Sequence, residues 1–214
     1  MQARKGGRER RGELVPPDKA GTRDLPAAVT RRSAARDRIM AAADRLFYAE
    51  GIHSVGVHRL VEESAVTRVT FYRHFPSKDD LITGYLEDRA RRSRRRITQV
   101  IEDSNGDARA ALRELGRVLT NETFAIEYRG CPFINASAEF AAPGHSARVL
   151  AAAQRAWTAD TIERLLRDMG HRAPARTARQ LLMLQTGANF GAAIDNTPDL
   201  DTIFLEAWDR LIEA

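Results

Sequence analysis

Residues 51–81 read GIHSVGVHRLVEESAVTRVTFYRHFPSKDDL. Leu60 and Val61 sit among His58, Arg59, Glu62 and Glu63, a pattern that predicts a short helix with one buried face. Val66 supplies the apolar residue of a tight turn. The hydroxyl of Thr67 is then placed to cap a new helix by accepting a free first-turn N–H. Phe71 and Phe75, four apart, bury one face of that helix. Arg68, Val69, Thr70, Tyr72, Arg73 and His74 are left for its other faces. So short a helix with so many donors needs a partner outside the chain, and double-stranded DNA fits that need.

The flanks support two helices turned against a third and a long fourth. Upstream, Ser33 caps a helix whose apolar positions Ile39, Ala43, Leu46 and Phe47 share one face, and Gly51 ends it. Downstream, Pro76 stops the short helix and Ser77-Lys78-Asp79-Asp80 restarts the chain with a capping box. A helix then runs to about Asp103, buried first through Leu81, Ile82, Tyr85 and Leu86 and later through Ile97, Val100 and Ile101. Between these stripes lie Arg89, Arg91, Arg92, Arg94, Arg95 and Arg96. They read either as a solvent-facing connector between two domains or as a second nucleic-acid patch.

This stretch resembles the DNA-binding domain of the TetR family of bacterial transcriptional regulators. The resemblance is carried by Phe71-Tyr72, His74-Phe75-Pro76-Ser77-Lys78 and Leu81, with Ile39, Ala43, Leu46, Phe47 and Gly51 upstream. The run Gly130-Cys131-Pro132-Phe133-Ile134-Asn135 is also similar to the start of a ligand-domain helix in some members. Two departures stand out: Ala65 where members usually have Gly in the turn, and Gly56 where many have Thr or Ser as a cap. Ala at positive φ costs roughly 1 kcal/mol.

Three parts are expected: a disordered basic arm over 1–32, a helix-turn-helix domain over 33–80, and a helical ligand-binding and dimerisation domain over 81–214. The expected fold is all-α, since no alternating run of β-branched and aromatic residues appears. The net charge of +5 is uneven. Residues 1–38 hold eleven Lys and Arg against five Asp and Glu, and the rest of the chain is nearly balanced. That arm reads either as a solvated tail or as a strand that follows phosphates or enters a minor groove.

The resemblance assigns Arg68 to base edges, where Arg paired with guanine is the commonest specific contact. Val69 packs on a thymine methyl, and His58 and Arg59 face the same groove. Thr67, Thr70, Tyr72, His74 and Lys78 fall to the phosphate side, although Tyr72 and His74 also fit packing against the first helix, and Arg73 is a further DNA-binding candidate. It implies a small-molecule effector as well, with Phe124, Tyr128, Phe133, Asn135, Glu139, Trp157, Met183, Asn189 and Phe190 as candidate pocket residues. Each of these also reads as ordinary core.

Further helices are expected over 107–128, 133–140, 145–169, 175–194 and 199–213, with Val149, Trp157, Ile162, Leu165 and Leu166 inside the third of these. The last two mix small residues with Phe190, Ile203, Phe204, Trp208, Leu211 and Ile212. That is more apolar surface than a monomer's end usually shows, and in the family these helices form a homodimer. No nucleophile–base pair, phosphate loop or metal-ligand spacing appears, so no enzyme, cofactor or metal site is expected. A helical enzyme or ligand carrier is the competing class, and a TetR-type activator or ligand-independent regulator the competing logic. The lone Cys131 excludes an internal disulfide and reads as inert rather than redox-sensing. With no bilayer-length apolar run and no secretory pattern, the chain is expected in the cytoplasm.

Overall fold

The computed structural model describes residues 33–123, 128–194 and 199–214. The basic arm over 1–32 and the pocket candidate Phe124 lie outside the described residues. Everything described is helical or turn: α1 (Ala34–Glu50), α2 (Val57–Glu63), α3 (Arg68–His74), α4 (Lys78–Asp103), α5 (Ala108–Thr123), α6 (Pro132–Glu139), α7 (Ser146–Asp168), α8 (Pro174–Ile194) and α9 (Leu200–Glu213). The fold is all-α, as the patterning implies.

Local chemistry explains where the helices begin. Ser33 Oγ accepts from the Arg36 N–H, and Thr67 Oγ1 from the Thr70 N–H at 3.1 Å. Ser77 and Asp80 form the reciprocal capping box, at 3.0 and 2.9 Å. Asp107 Oδ1 accepts the Arg109 and Ala110 N–H groups ahead of α5. Pro132 opens α6, one residue earlier than Phe133, because its missing N–H costs nothing in the first helical turn.

Two apolar clusters hold the chain. The first joins Ile39, Leu46 and Phe47 of α1, Leu60 of α2 and Phe71 of α3 to Phe75 and to Leu81, Tyr85 and Leu86 of α4. It also reaches Ala136 of α6 and Ala147 of α7. The second joins Ile97 and Val100 of α4 to Leu112 and Leu115 of α5, Ile162 and Leu166 of α7, Leu181 of α8 and Trp208 of α9. Helix α4, 26 residues long, is thus shared by both cores. Val149 departs from expectation: it is 53% exposed, because it lines an open cavity rather than the packed interior.

Candidate nucleic-acid interface and internal cavity

The α2–α3 turn is a Schellman motif built on alanine. After Ser64, the Ala65 N–H bonds the Glu62 carbonyl and the Val66 N–H bonds the Val61 carbonyl, with Ala65 at φ 49°. The motif satisfies the carbonyls at the end of α2 and aims α3 away from it. Phe71 (0% exposed) and Phe75 (3%) then anchor α3 from below. Arg68, Val69, Tyr72 and Arg73 are left on the outer face.

Val69 is 80% exposed. The Arg68 guanidinium lies 5.9 Å from the Tyr72 ring centroid, which holds both side chains on the same side of the helix. Thr67 and Thr70 sit at the helix start, their hydroxyls 2.9 Å apart. His58 and Arg59 are exposed on α2, and Arg59 also stands 3.9 and 3.8 Å from Glu62 and Glu63.

Two expected contacts are drawn elsewhere. His74 Nε2 shares a 3.0 Å hydrogen bond with Ser33 Oγ, tying α3 to the start of α1. Lys78 Nζ donates to the Ile52 carbonyl at 2.6 Å, and burial lowers its pKa from the usual lysine value. Its ammonium therefore serves the α1–α2 junction rather than the outer face of α3. That junction is gripped from the other side by Glu139 at the end of α6. One carboxylate oxygen accepts the Ile52 N–H at 2.9 Å, and the other accepts the His53 N–H at 2.6 Å.

A cavity of about 1200 Å³ opens between α4, α5, α6, α7 and α8. Of the expected pocket residues, Tyr128, Phe133 and Asn189 line it. The Tyr128 hydroxyl donates to Asn189 Oδ1 at 2.7 Å, and the Thr123 hydroxyl donates to the same oxygen at 3.0 Å. Burial raises the Tyr128 pKa, so this phenol remains a donor. Cys131 also lines the cavity, and burial raises its thiol pKa, which disfavours the reactive thiolate.

Five expected pocket residues are absent from the lining. Met183 (69% exposed) and Phe190 (52%) turn outward from α8. Trp157 packs beneath the Arg94 guanidinium, 5.2 Å from the ring centroid. Asn135 Nδ2 donates to the Arg129 carbonyl, and Glu139 grips the α1–α2 junction. Among the lining residues not foreseen are five arginines: Arg89, Arg92 and Arg96 from α4 and Arg148 and Arg155 from α7. Their three-, four- and seven-residue spacings are a helical-face signal present in the sequence. The cavity also touches α1 through Tyr48, whose hydroxyl accepts the Arg129 N–H and donates to the Gly130 carbonyl. Among the described residues no group of His, Cys, Asp and Glu could hold a metal ion, and no helix is long and apolar enough to cross a membrane.

Residues 39–84 match the model of bacterial regulatory proteins of the tetR family. Two uncharacterized HTH-type transcriptional regulators of Mycobacterium tuberculosis, MT1294 and Rv1255c, are each 38% identical over 84 residues, 39% of this chain. The match spans 41% of the length of each of these relatives. Across most of the chain it is similar to SCO4454, a TetR-family transcriptional regulator from Streptomyces coelicolor whose crystal structure is known. That likeness has a TM-score of 0.81 and 36% identity, covering 85% of this chain and 95% of that one. The regulatory protein TetR from Rhodobacter sphaeroides shares the fold at a TM-score of 0.71 and 22% identity, covering 84% of this chain and 99% of that one.

Proposed function

Because the chain belongs to the TetR family, we propose that it is a DNA-binding transcriptional regulator, a homodimeric repressor that a small molecule releases from its operator. One observation carries the reading: the outer face of α3. A helix clamped by two buried phenylalanines leaves Arg68, Tyr72, Arg73 and an 80%-exposed Val69 together in solvent. Among the described residues nothing covers that face, and its mixture of cation, aromatic and methyl groups matches guanine edges, phosphates and thymine methyls. Residues 33–80 act as the DNA-binding unit and 81–214 as the effector and dimer unit. The arm over 1–32 adds charge along the phosphate backbone.

Repression released by an effector is supported by the route between the two sites. Helix α6 contributes Phe133, Ile134 and Ser137 to the cavity, while its last residue, Glu139, holds the backbone of Ile52 and His53 beside α2. A ligand that displaces α6 acts on that grip, and through it on the spacing of two α3 helices in a dimer. Fluorescence anisotropy on DNA from the protein's own upstream region tests the proposal, with a scrambled duplex beside it at several salt concentrations. Binding selective for the genuine fragment is expected, and Arg68→Ala should weaken it roughly tenfold or more. Equal, steeply salt-dependent affinity for both duplexes, unchanged by Arg68→Ala, would remove specific operator recognition from the reading.

A further inference from the structure

The lining of the cavity is one-sided in charge. Arg89, Arg92, Arg96, Arg148 and Arg155 face it, and among its described lining residues there is no Asp or Glu. The arginines fall in two rows. On α4 they recur at three- and four-residue steps, and on α7 Arg148 and Arg155 stand seven apart with Ala151 and Ala152 between them on the same wall. Such spacings keep each row on one helical face, and the wall residues between the two α7 arginines carry only a methyl group each.

The rows are not equivalent. In the α4 row, Arg89 and Arg92 already meet Asp44, at 2.5 and 2.7 Å. The α7 pair holds only neutral oxygens among the described residues. Arg148 Nη1 donates to the Ala141 carbonyl and Arg155 Nη1 to the Thr186 hydroxyl, each at 2.9 Å. Each guanidinium carries five donors in a fork suited to an oxyanion. The same cavity has an apolar part: Ile97, Leu119 and Leu182 are buried, with Phe133 and Ile134 also in the lining. Arg92, Arg96 and Arg155 are exposed.

We propose that the cavity binds an amphipathic organic anion: an apolar body seated on the apolar part of the lining, with a carboxylate, sulfonate or phosphate head held by Arg148 and Arg155. This rests on the cavity being the effector site. Its volume of about 1200 Å³ exceeds the ~300–1,000 Å³ of common small-molecule sites, leaving room for an extended body. A nucleic-acid backbone suits these arginines less well, since it needs a continuous accessible stripe and the α7 pair lines a cavity with an apolar part.

The test compares two fluorescent probes with the same aromatic body, anilinonaphthalene sulfonate and the uncharged phenylnaphthylamine, on the full chain. The sulfonate should bind at least about tenfold tighter than the neutral probe, the effect of one or two charge-assisted hydrogen bonds. Arg148→Gln with Arg155→Gln should erase that preference and leave the neutral probe's affinity unchanged, while circular dichroism and the melting temperature report the fold. Should that double variant fail to fold, Ala152→Glu places a carboxylate between the two guanidiniums and should weaken the sulfonate comparably. Sulfonate binding unaffected by either variant overturns the proposal. So does displacement of the sulfonate by a scrambled duplex in a steeply salt-dependent way, which would give the arginines to nucleic acid. Equal binding of both probes, with release of operator DNA by each, refutes the anion preference and keeps the effector site. If neither probe binds or alters the operator complex, the effector-site reading falls as well.

Discussion

Ala65 occupies a backbone position that glycine fills elsewhere in the same chain. At the end of α7 the Gly170 and His171 N–H groups bond the carbonyls of Arg167 and Leu166, the same Schellman pattern, with Gly170 at φ 79°. At the end of α2 the pattern is repeated with a β-carbon present and φ at 49°. The left-handed region costs an L-residue roughly 1 kcal/mol relative to glycine. Glycine's greater freedom in the unfolded chain offsets part of the gain. Ala65→Gly is therefore expected to stabilise the chain by roughly 0.5 kcal/mol, with the turn geometry and the DNA-facing side chains unchanged. Denaturant unfolding of the two proteins measures it. Lower stability in the variant would mean that the alanine methyl makes a packing contribution larger than the strain it causes.

At the scale of the helices, most of the architecture was readable because each helix begins or ends on a local signal. Ser33, Thr67, Ser77 and Asp107 start helices, and Gly51 and Gly170 end them, through bonds made within a few residues. Which face turns inward was far less readable around the cavity. Met183 and Phe190 looked like pocket walls by residue type, yet the phase of α8 points them to solvent. Glu139 looked like a pocket polar group, but its partners Ile52 and His53 lie 87 and 86 residues away in sequence. No local rule specifies such a contact. Gly116 shows the same limit. It sits inside α5, where glycine costs about 1 kcal/mol relative to alanine. An added β-carbon would come within 2.9 Å of Trp208 Cδ1, however. Trp208 is fully buried and its Nε1 donates to the Leu112 carbonyl at 2.8 Å, so it has little room to move. Overpacking of this kind costs about 1–3 kcal/mol, which outweighs the propensity gain. Gly116→Ala should accordingly lower stability by about 1 kcal/mol or more in denaturant unfolding. A stabilised variant would show that the α5–α9 contact yields readily.

At the scale of the whole molecule, a second exposed surface among the described residues lies on α8 and α9. Met183, Gly187, Phe190 and Ile194 follow one another at four-, three- and four-residue steps along α8, which puts them in one stripe. Met183 is 69% exposed, Phe190 52% and Ile194 72%, and nothing lies within 4 Å of where a Gly187 β-carbon would stand. Ile203 of α9 is 54% exposed. A small residue set among large apolar ones suits a second helix approaching closely, and the symmetric solution is the same stripe on another copy. In the proposed dimer that arrangement would also raise the affinity for DNA, because two linked α3 helices on adjacent half-sites would bind far more tightly than one, commonly by 10²–10⁴-fold. Replacing Phe190 and Ile203 by Glu leaves each core intact, since neither side chain is buried in the single chain. The native chain is expected to sediment as a dimer and the double variant as a monomer. Its affinity for operator DNA should fall on the order of a hundredfold, while Arg68 and its neighbours remain in place. If the variant stays dimeric with full affinity, the interface lies on another face. If it becomes monomeric and still binds the operator fully, one α3 helix is enough and the two-half-site model fails.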